Sequence, residues 1–158
     1  AQWDLETGTA GIILALSRLG MDTHELAVEL AENMCTTDLP EEGLLRGLPG
    51  ISLAMVEAEE PEIAMALASH RESFTSKNAN IRSGVAGTVL SYLSLCQYGM
   101  KIRFINELLA DFEDALDDSD IYVDGGGAET GNAVGIFDGW CGVAVAGCCS
   151  LVSTGIQR

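Results

Sequence analysis

The sequence predicts an all-α fold of about seven helices, in which buried helices alternate with amphipathic ones. The motif G-x-x-G occurs four times, each time before a run of small and aliphatic residues. Its first glycines stand at positions 8, 47, 84 and 139, so the copies are 39, 37 and 55 residues apart. These intervals lie in the range of helical-hairpin repeats. The segments between the copies carry apolar residues at helical spacing, and no alternating strand pattern competes with them.

The segments that directly follow each G-x-x-G predict an inner layer of helices. They read GIILALSRL, GISLAMV, GTVLSYLSL and GVAVAGCCSLV. All four are apolar on nearly every side, which is typical of helices buried on most sides. We predict that these inner helices begin near residues 9, 48, 84 and 140. Glycine at the corner before a helix permits unusual φ values and close backbone approach, which gives the repeat a structural reason.

Three further segments predict an outer layer of amphipathic helices, at residues 21–34, 61–74 and 101–118. Each has an apolar stripe on one side and polar residues on the other. The stripes contain Leu26, Ala27, Leu30, Ala31 and Met34; Ile63, Ala64, Leu67 and Ala68; and Ile105, Leu108, Leu109, Phe112 and Leu116. An inner and an outer layer predict a helical solenoid, or a ring if its curvature closes. Residues 1–158 are predicted to form a single all-helical domain.

The composition excludes several classes of partner. The formal net charge is −16, from 24 acidic and 8 basic residues. Such a surface repels phosphate backbones and anionic lipids, so we expect neither nucleic acid nor a membrane as a partner. No apolar run reaches the roughly 18 residues of a membrane span, and the first residues show no signal peptide. The five cysteines form no C-x-x-C pair, which favours a reducing compartment, so we expect a cytoplasmic protein.

The repeat resembles a known family, the lanthionine synthetase C-like cyclases. GLLRGLPGISLAM at 43–55 and GIFDGWCGVAVAG at 135–147 are most similar to the cyclase domains of class III lanthipeptide synthetases, the kinase–cyclase fusions. The resemblance implies an α/α toroid whose inner helices line a bore, with the G-x-x-G corners at its mouth. It implies closure of thioether rings, in which a cysteine thiol of a precursor peptide adds to dehydroalanine or dehydrobutyrine. It also implies a longer synthetase with upstream kinase and lyase domains.

The positions that hold zinc in related cyclases are occupied here by other residue types. Zinc-dependent members of the family carry a cysteine two residues before the first glycine of one corner and a Cys-His pair before another. The corresponding pairs are Glu6-Thr7, Leu45-Arg46, Arg82-Ser83 and Phe137-Asp138. Cys141 lies between its glycines, and His24 and His70 fall on predicted outer helices. We therefore expect no bound metal and no cofactor, in agreement with the metal-free class III type.

Polar residues just before the first glycines are the candidates for chemistry. If the corners gather at one mouth, Asp138 is placed to accept the thiol proton. Arg46 and Arg82 are candidates to stabilise a thiolate, or the enolate formed after its attack. The alternative is that Asp138 only caps its helix and that the arginines face solvent.

Three other residues are candidates for substrate binding. Thr7 and Ser83 occupy the same corner position as Asp138, and Trp140 could provide a platform for a peptide. The alternative for Trp140 is simple packing at a helix corner. Cys141 has no local histidine to activate it, and Cys148 and Cys149 are expected in the core.

Two other classes of function remain open from the sequence. The first is a non-catalytic helical-repeat scaffold that binds peptides, which a count of about three and a half hairpins favours. The second is a glycan-processing α/α-barrel, which needs paired carboxylates at the mouth. Only Asp138 and Glu6 are candidates for such a pair, so this class ranks last. The sequence does not determine the oligomeric state.

Overall fold

The computed structural model describes residues 3–34, 42–69, 74, 76–123 and 135–156. Over these residues the chain is all-α, as predicted. The helices are α1 (Thr9–Arg18), α2 (His24–Met34), α3 (Leu48–Glu57), α4 (Pro61–Ala68), α5 (Val85–Gln97), α6 (Ile105–Asp117) and α7 (Trp140–Ile156). The same ranges contain no β-strand, only an isolated bridge between Asn78 and Tyr122.

The helices begin where the glycine motifs predict. α1, α3, α5 and α7 start at residues 9, 48, 85 and 140, each directly after the first glycine of a G-x-x-G. The amphipathic segments form α2, α4 and α6. Pro61 occupies the first turn of α4, where its missing N–H leaves no hydrogen bond unmade.

Four of the helices form a row, and each of the other three packs against one helix of that row. α1, α3, α5 and α7 pack against one another in chain order, and we call them the inner helices. α2, α4 and α6 each pack against the inner helix that precedes them, and we call them the outer helices. Buried residues form two clusters, one around Ile13 and Ile51 on α1–α4 and one around Val89 and Phe112 on α5–α7.

α7 differs from its prediction, because one of its sides is exposed. Val143, Ala146 and Ser150 are buried, whereas Cys148 is exposed and Cys149 is half-buried. The expectation that both cysteines lie in the core is therefore wrong for Cys148. The reason is that, in the part of the chain that the structure describes, α5 packs against one side of α7 and leaves the opposite side uncovered.

The second glycine of each motif allows a close backbone approach. A Cβ atom at Gly11, Gly50, Gly87 or Gly142 would overlap the carbonyl oxygen of the residue six positions earlier. The first glycines of α1, α3 and α5 precede the helix with φ between −92° and −125°, which is ordinary extended backbone. The motif therefore depends on the space left by the missing Cβ, and the predicted unusual φ values do not occur at these positions.

Candidate functional site

Main-chain hydrogen bonds join the four segments that precede the inner helices. We call these segments the corners: residues 5–8, 44–47, 81–84 and 136–139. The Leu5 N–H donates to the Leu45 carbonyl at 2.9 Å, and the Leu45 N–H donates to the Arg82 carbonyl at 3.0 Å. The Arg82 N–H in turn donates to the Phe137 carbonyl at 3.2 Å. Side chains at equivalent positions of successive corners are therefore neighbours.

Four charged side chains from the four corners form a continuous series of ion pairs, which we call the ion-pair chain. Arg46 Nε donates to Glu6 Oε2 at 3.1 Å. The other oxygen of Glu6 accepts a hydrogen bond from Arg82 Nη1. Arg82 Nη2 donates to Asp138 Oδ2 at 2.8 Å. Positive and negative groups thus alternate in the order Arg46, Glu6, Arg82, Asp138.

Arg82 is the centre of this series, since it contacts both carboxylates. Its Nε lies 2.6 Å from Asp138 Oδ1, but this N–H is not directed well enough at any acceptor to form a hydrogen bond. The hydrogen bond with Asp138 is the main cause that raises the pKa of Arg82. The side chains of Arg82, Asp138 and Glu6 are 32%, 30% and 24% exposed, so a ligand in solvent can reach them.

The structure brings together the three residues predicted to be catalytic. Arg46, Arg82 and Asp138 are linked through Glu6, which the sequence suggested only as a carboxylate for glycan chemistry. The alignment of the four motifs could have identified Glu6 as a candidate, because Glu6 occupies the same corner position as Arg82, two residues before the first glycine. Among the described residues, the side-chain hydrogen bond of Asp138 is with Arg82, so its contacts differ from those of a helix cap.

The residues predicted to bind substrate are placed differently. Thr7 hydrogen-bonds Asp4 through both its N–H, at 2.7 Å, and its hydroxyl, at 3.2 Å. The Ser83 N–H donates to Asn80 Oδ1 at 2.9 Å. These two residues stabilise the local turns of their corners. Trp140 is 39% exposed at the start of α7 and remains available to a ligand.

An open groove of about 510 Å³ lies along the corners and the inner helices. Leu14, Leu53 and Ser94 contribute from α1, α3 and α5. Corner residues that directly precede members of the ion-pair chain also line it, namely Leu5, Leu45 and Phe137. The volume falls in the range of small-molecule and peptide-side-chain sites. The groove is thus apolar at its corner end, whereas the inner helices contribute polar residues as well as Leu14 and Leu53. The members of the ion-pair chain are next in sequence to lining residues and do not themselves line the groove.

A second polar cluster lies at the other end of the groove, and the sequence analysis did not identify it. Arg18 Nη2 donates to Glu57 Oε1 at 3.0 Å, and the Tyr98 hydroxyl also donates to that oxygen. The hydrogen bond from Arg18 is the first cause that lowers the pKa of Glu57, and the bond to Glu57 raises the pKa of Tyr98. The alignment of the motifs could have indicated this pair too, because Arg18 and Glu57 both lie ten residues after the first glycine of their motifs.

Other candidate features are placed as follows. His24 begins α2 and contacts the Glu60 carboxylate, while His70 lies outside the described residues. Cys141 is exposed. Within the described ranges, no three His, Cys, Asp or Glu side chains converge to hold a metal ion. None of the helices there is long and apolar enough to cross a membrane.

Comparison with known proteins gave no match to any protein-family model, curated protein or solved structure.

Proposed function

We propose that this chain is a lanthionine synthetase C-like cyclase domain that assists thioether ring formation on a dehydrated precursor peptide. The observation that carries the proposal is the ion-pair chain Arg46–Glu6–Arg82–Asp138, together with a groove lined by the residues that directly precede three of its members. Its four members come from the four corners whose sequences carry the resemblance to this family. In the same proposal, the inner helices belong to an α/α toroid and the corners lie at the mouth of its bore.

The proposed reaction adds a cysteine thiol to the β-carbon of dehydroalanine or dehydrobutyrine. The thiol loses its proton, the sulfur forms a bond to the β-carbon, and the C=C electron pair moves toward the adjacent carbonyl as an enolate. Protonation of the α-carbon then completes the thioether. All atoms of the two groups remain in the product, so the step requires no oxidant and no cofactor.

Each member of the ion-pair chain has a distinct role in this proposal. Asp138 accepts the thiol proton and returns a proton to the α-carbon, as positioned acid–base groups do. Arg82 stabilises the negative charge on the thiolate and then on the enolate, because a fixed cation acts most strongly where charge develops. Glu6 holds Arg82 in place between the two carboxylates, and Arg46 is a second cation for the enolate. Trp140 contacts the incoming peptide.

The proposed partners follow from the same resemblance. The substrate is a precursor peptide, and the dehydro residues are supplied by kinase and lyase domains upstream in the same synthetase. The proposed location is the cytoplasm. The acidic surface, with a net charge of −16, favours peptides that carry basic residues.

A non-catalytic peptide-binding scaffold is the second candidate function. The observation that favours it is that each member of the ion-pair chain is paired with another member, so the charges stabilise the corners without any substrate. In that case the groove between α1, α3 and α5 would bind a peptide but would not accelerate its chemistry.

A synthetic peptide with one cysteine and one dehydroalanine separates these candidates. Free thiols are alkylated after incubation and counted by mass spectrometry, and peptide binding is measured separately by fluorescence anisotropy. For a cyclase, Asp138→Asn should slow thiol loss by roughly 10²- to 10⁴-fold. Asp117→Asn, at the exposed end of α6, is the matched control and should leave the rate unchanged. Binding without any acceleration over buffer would establish the scaffold and exclude the cyclase.

A further inference from the structure

Two neighbouring inner helices line the groove with residue types in the same order. Leu14 on α1 and Leu53 on α3 both lie six residues after the first glycine of their motifs. Arg18 and Glu57 follow them by four residues, which places each on the same helix face as its leucine. At a rise of about 1.5 Å per residue, the charged level lies about 6 Å beyond the apolar one. The groove therefore changes from apolar at its corner end to charged one helical turn further on.

Glu57 supplies a negative charge to the groove and has an oxygen that is still available. Its Oε1 accepts hydrogen bonds from Arg18 and Tyr98, whereas its Oε2 accepts none from the described part of the chain. A carboxylate accepts up to about four hydrogen bonds, so two are not its full capacity. The lowered pKa of Glu57 keeps the group ionised at neutral pH, and its side chain is 19% exposed. A cation that enters the groove can therefore reach an ionised acceptor.

The charges around Glu57 favour a cation over an anion as the ligand. The side chain of Arg18 is 65% exposed, and an ion pair with such an exposed partner contributes little to stability. A ligand cation that displaces Arg18 into solvent therefore loses little binding energy. An anion that binds Arg18 would lie beside the ionised Glu57 and would approach a protein with a net charge of −16.

We infer that the groove binds a lysine or arginine side chain of the peptide substrate. The hydrocarbon stem packs against Leu14 and Leu53, and the cation at its end donates to Glu57. Lysine and arginine pack in this way elsewhere, with the stem along apolar surface and the charged end in a polar setting. The inference rests on the proposed function in one respect, that the ligand is a peptide, and it applies to the cyclase and to the scaffold alike.

This binding mode places the main chain of the peptide at the corner end of the groove. Leu5, Leu45 and Phe137 line that end, and each directly precedes a member of the ion-pair chain. In the proposed cyclase, the basic residue is therefore close in sequence to the cysteine or the dehydro residue that reacts. The groove would then select which thiol or which dehydro residue is used.

Three fluorescent peptides test the inference by anisotropy. They are identical except for one position, which holds lysine, methionine or glutamate, and alanine replaces both reactive residues so that no ring forms. The wild-type chain should bind the lysine peptide about tenfold more tightly than the methionine peptide, and the glutamate peptide most weakly. Glu57→Gln should remove the tenfold difference and leave the affinity for the methionine peptide unchanged.

Glu32→Gln, at an exposed position of α2 outside the groove, is the matched control. It removes the same charge and should bind all three peptides like the wild type, and circular dichroism checks that both variants keep their helical content. The inference is wrong if the wild type binds the lysine and methionine peptides equally, or does not bind the lysine peptide. It is also wrong if Glu32→Gln loses the preference for lysine as Glu57→Gln does, because the cause is then the overall charge.

Arg18→Gln distinguishes a cation site from an anion site. It should keep or strengthen the preference for lysine, because a competing cation has been removed. Tightest binding of the glutamate peptide, lost in Arg18→Gln, would overturn the inference. The rate of thiol loss from a reactive lysine peptide is measured separately. A preference for lysine without acceleration over buffer would contradict the cyclase and support the groove assignment, whereas acceleration without that preference would contradict the groove assignment alone.

Discussion

Replacing Gly87 with alanine should destabilise the protein, because the added Cβ has no space. That atom would overlap the Ile81 carbonyl oxygen in its own corner and the Leu44 nitrogen in the corner before it. Both are backbone atoms, so relief requires two hydrogen-bonded corners to move. Overpacking of this kind costs about 3 kcal/mol, and the better helix propensity of alanine recovers about 1 kcal/mol. The net loss is about 2 kcal/mol, equivalent to a melting temperature lower by about 4–8 °C.

Urea denaturation followed by circular dichroism measures this loss, and Gly147→Ala is the matched control. Gly147 is also in an inner helix, but nothing lies within 4 Å of a Cβ built there. Only helix propensity remains at that site, so Gly147→Ala should stabilise the chain by about 1 kcal/mol. Equal effects of the two substitutions, or a gain in stability for Gly87→Ala, would refute the close approach between the corners.

Two further predictions concern a titrating surface pair and the core. The pKa of His24 should lie above the ordinary value of about 6.5, because its ring contacts the Glu60 carboxylate. The stabilisation from this pair is complete below a pH of about 6.5 and is lost as the pH rises through the raised pKa of His24. An NMR titration should show that Glu60→Gln returns the pKa of His24 toward its ordinary value. An unchanged pKa on that substitution would contradict the pairing. Phe112→Ala should cost about 3–5 kcal/mol of unfolding free energy, because Phe112 is 1% exposed, and an unfolding midpoint close to wild type would contradict this core assignment. Phe137→Ala, at a residue 48% exposed, is its control and should cost about 1 kcal/mol or less.

The sequence predicted the elements of the fold because their signals are local. G-x-x-G followed by small and aliphatic residues located the starts of α1, α3, α5 and α7 to within one residue. The exposed side of α7 could not be predicted in the same way. An apolar sequence shows that a helix can be buried on all sides, but burial depends on which elements pack against it. Cys148 and Val152 are exposed because α5 covers only the opposite side.

The candidate site was predicted in part, through the phase of the repeat. Positions one or two residues before the first glycine of a motif gave Arg46, Arg82 and Asp138. The bridging role of Glu6 could not be predicted in this way. It depends on the hydrogen bonds between consecutive corners, and the sequence of a single segment does not show them. The contact of Tyr98 with Glu57 depends on how far a side chain reaches across the groove, and neither spacing nor composition determines that distance.

The most direct test of the proposed function is the rate of thioether formation with Arg82→Gln. The substrate is the synthetic peptide with one cysteine and one dehydroalanine, and thiol loss is followed at a fixed pH against a buffer blank. Because Arg82 is the proposed charge-stabilising group, its loss should slow the reaction by about 10²- to 10³-fold. Arg103→Gln, at an exposed arginine outside the ion-pair chain, should react like the wild type. A wild-type rate equal to the blank, or an Arg82→Gln rate equal to wild type, would contradict the proposal.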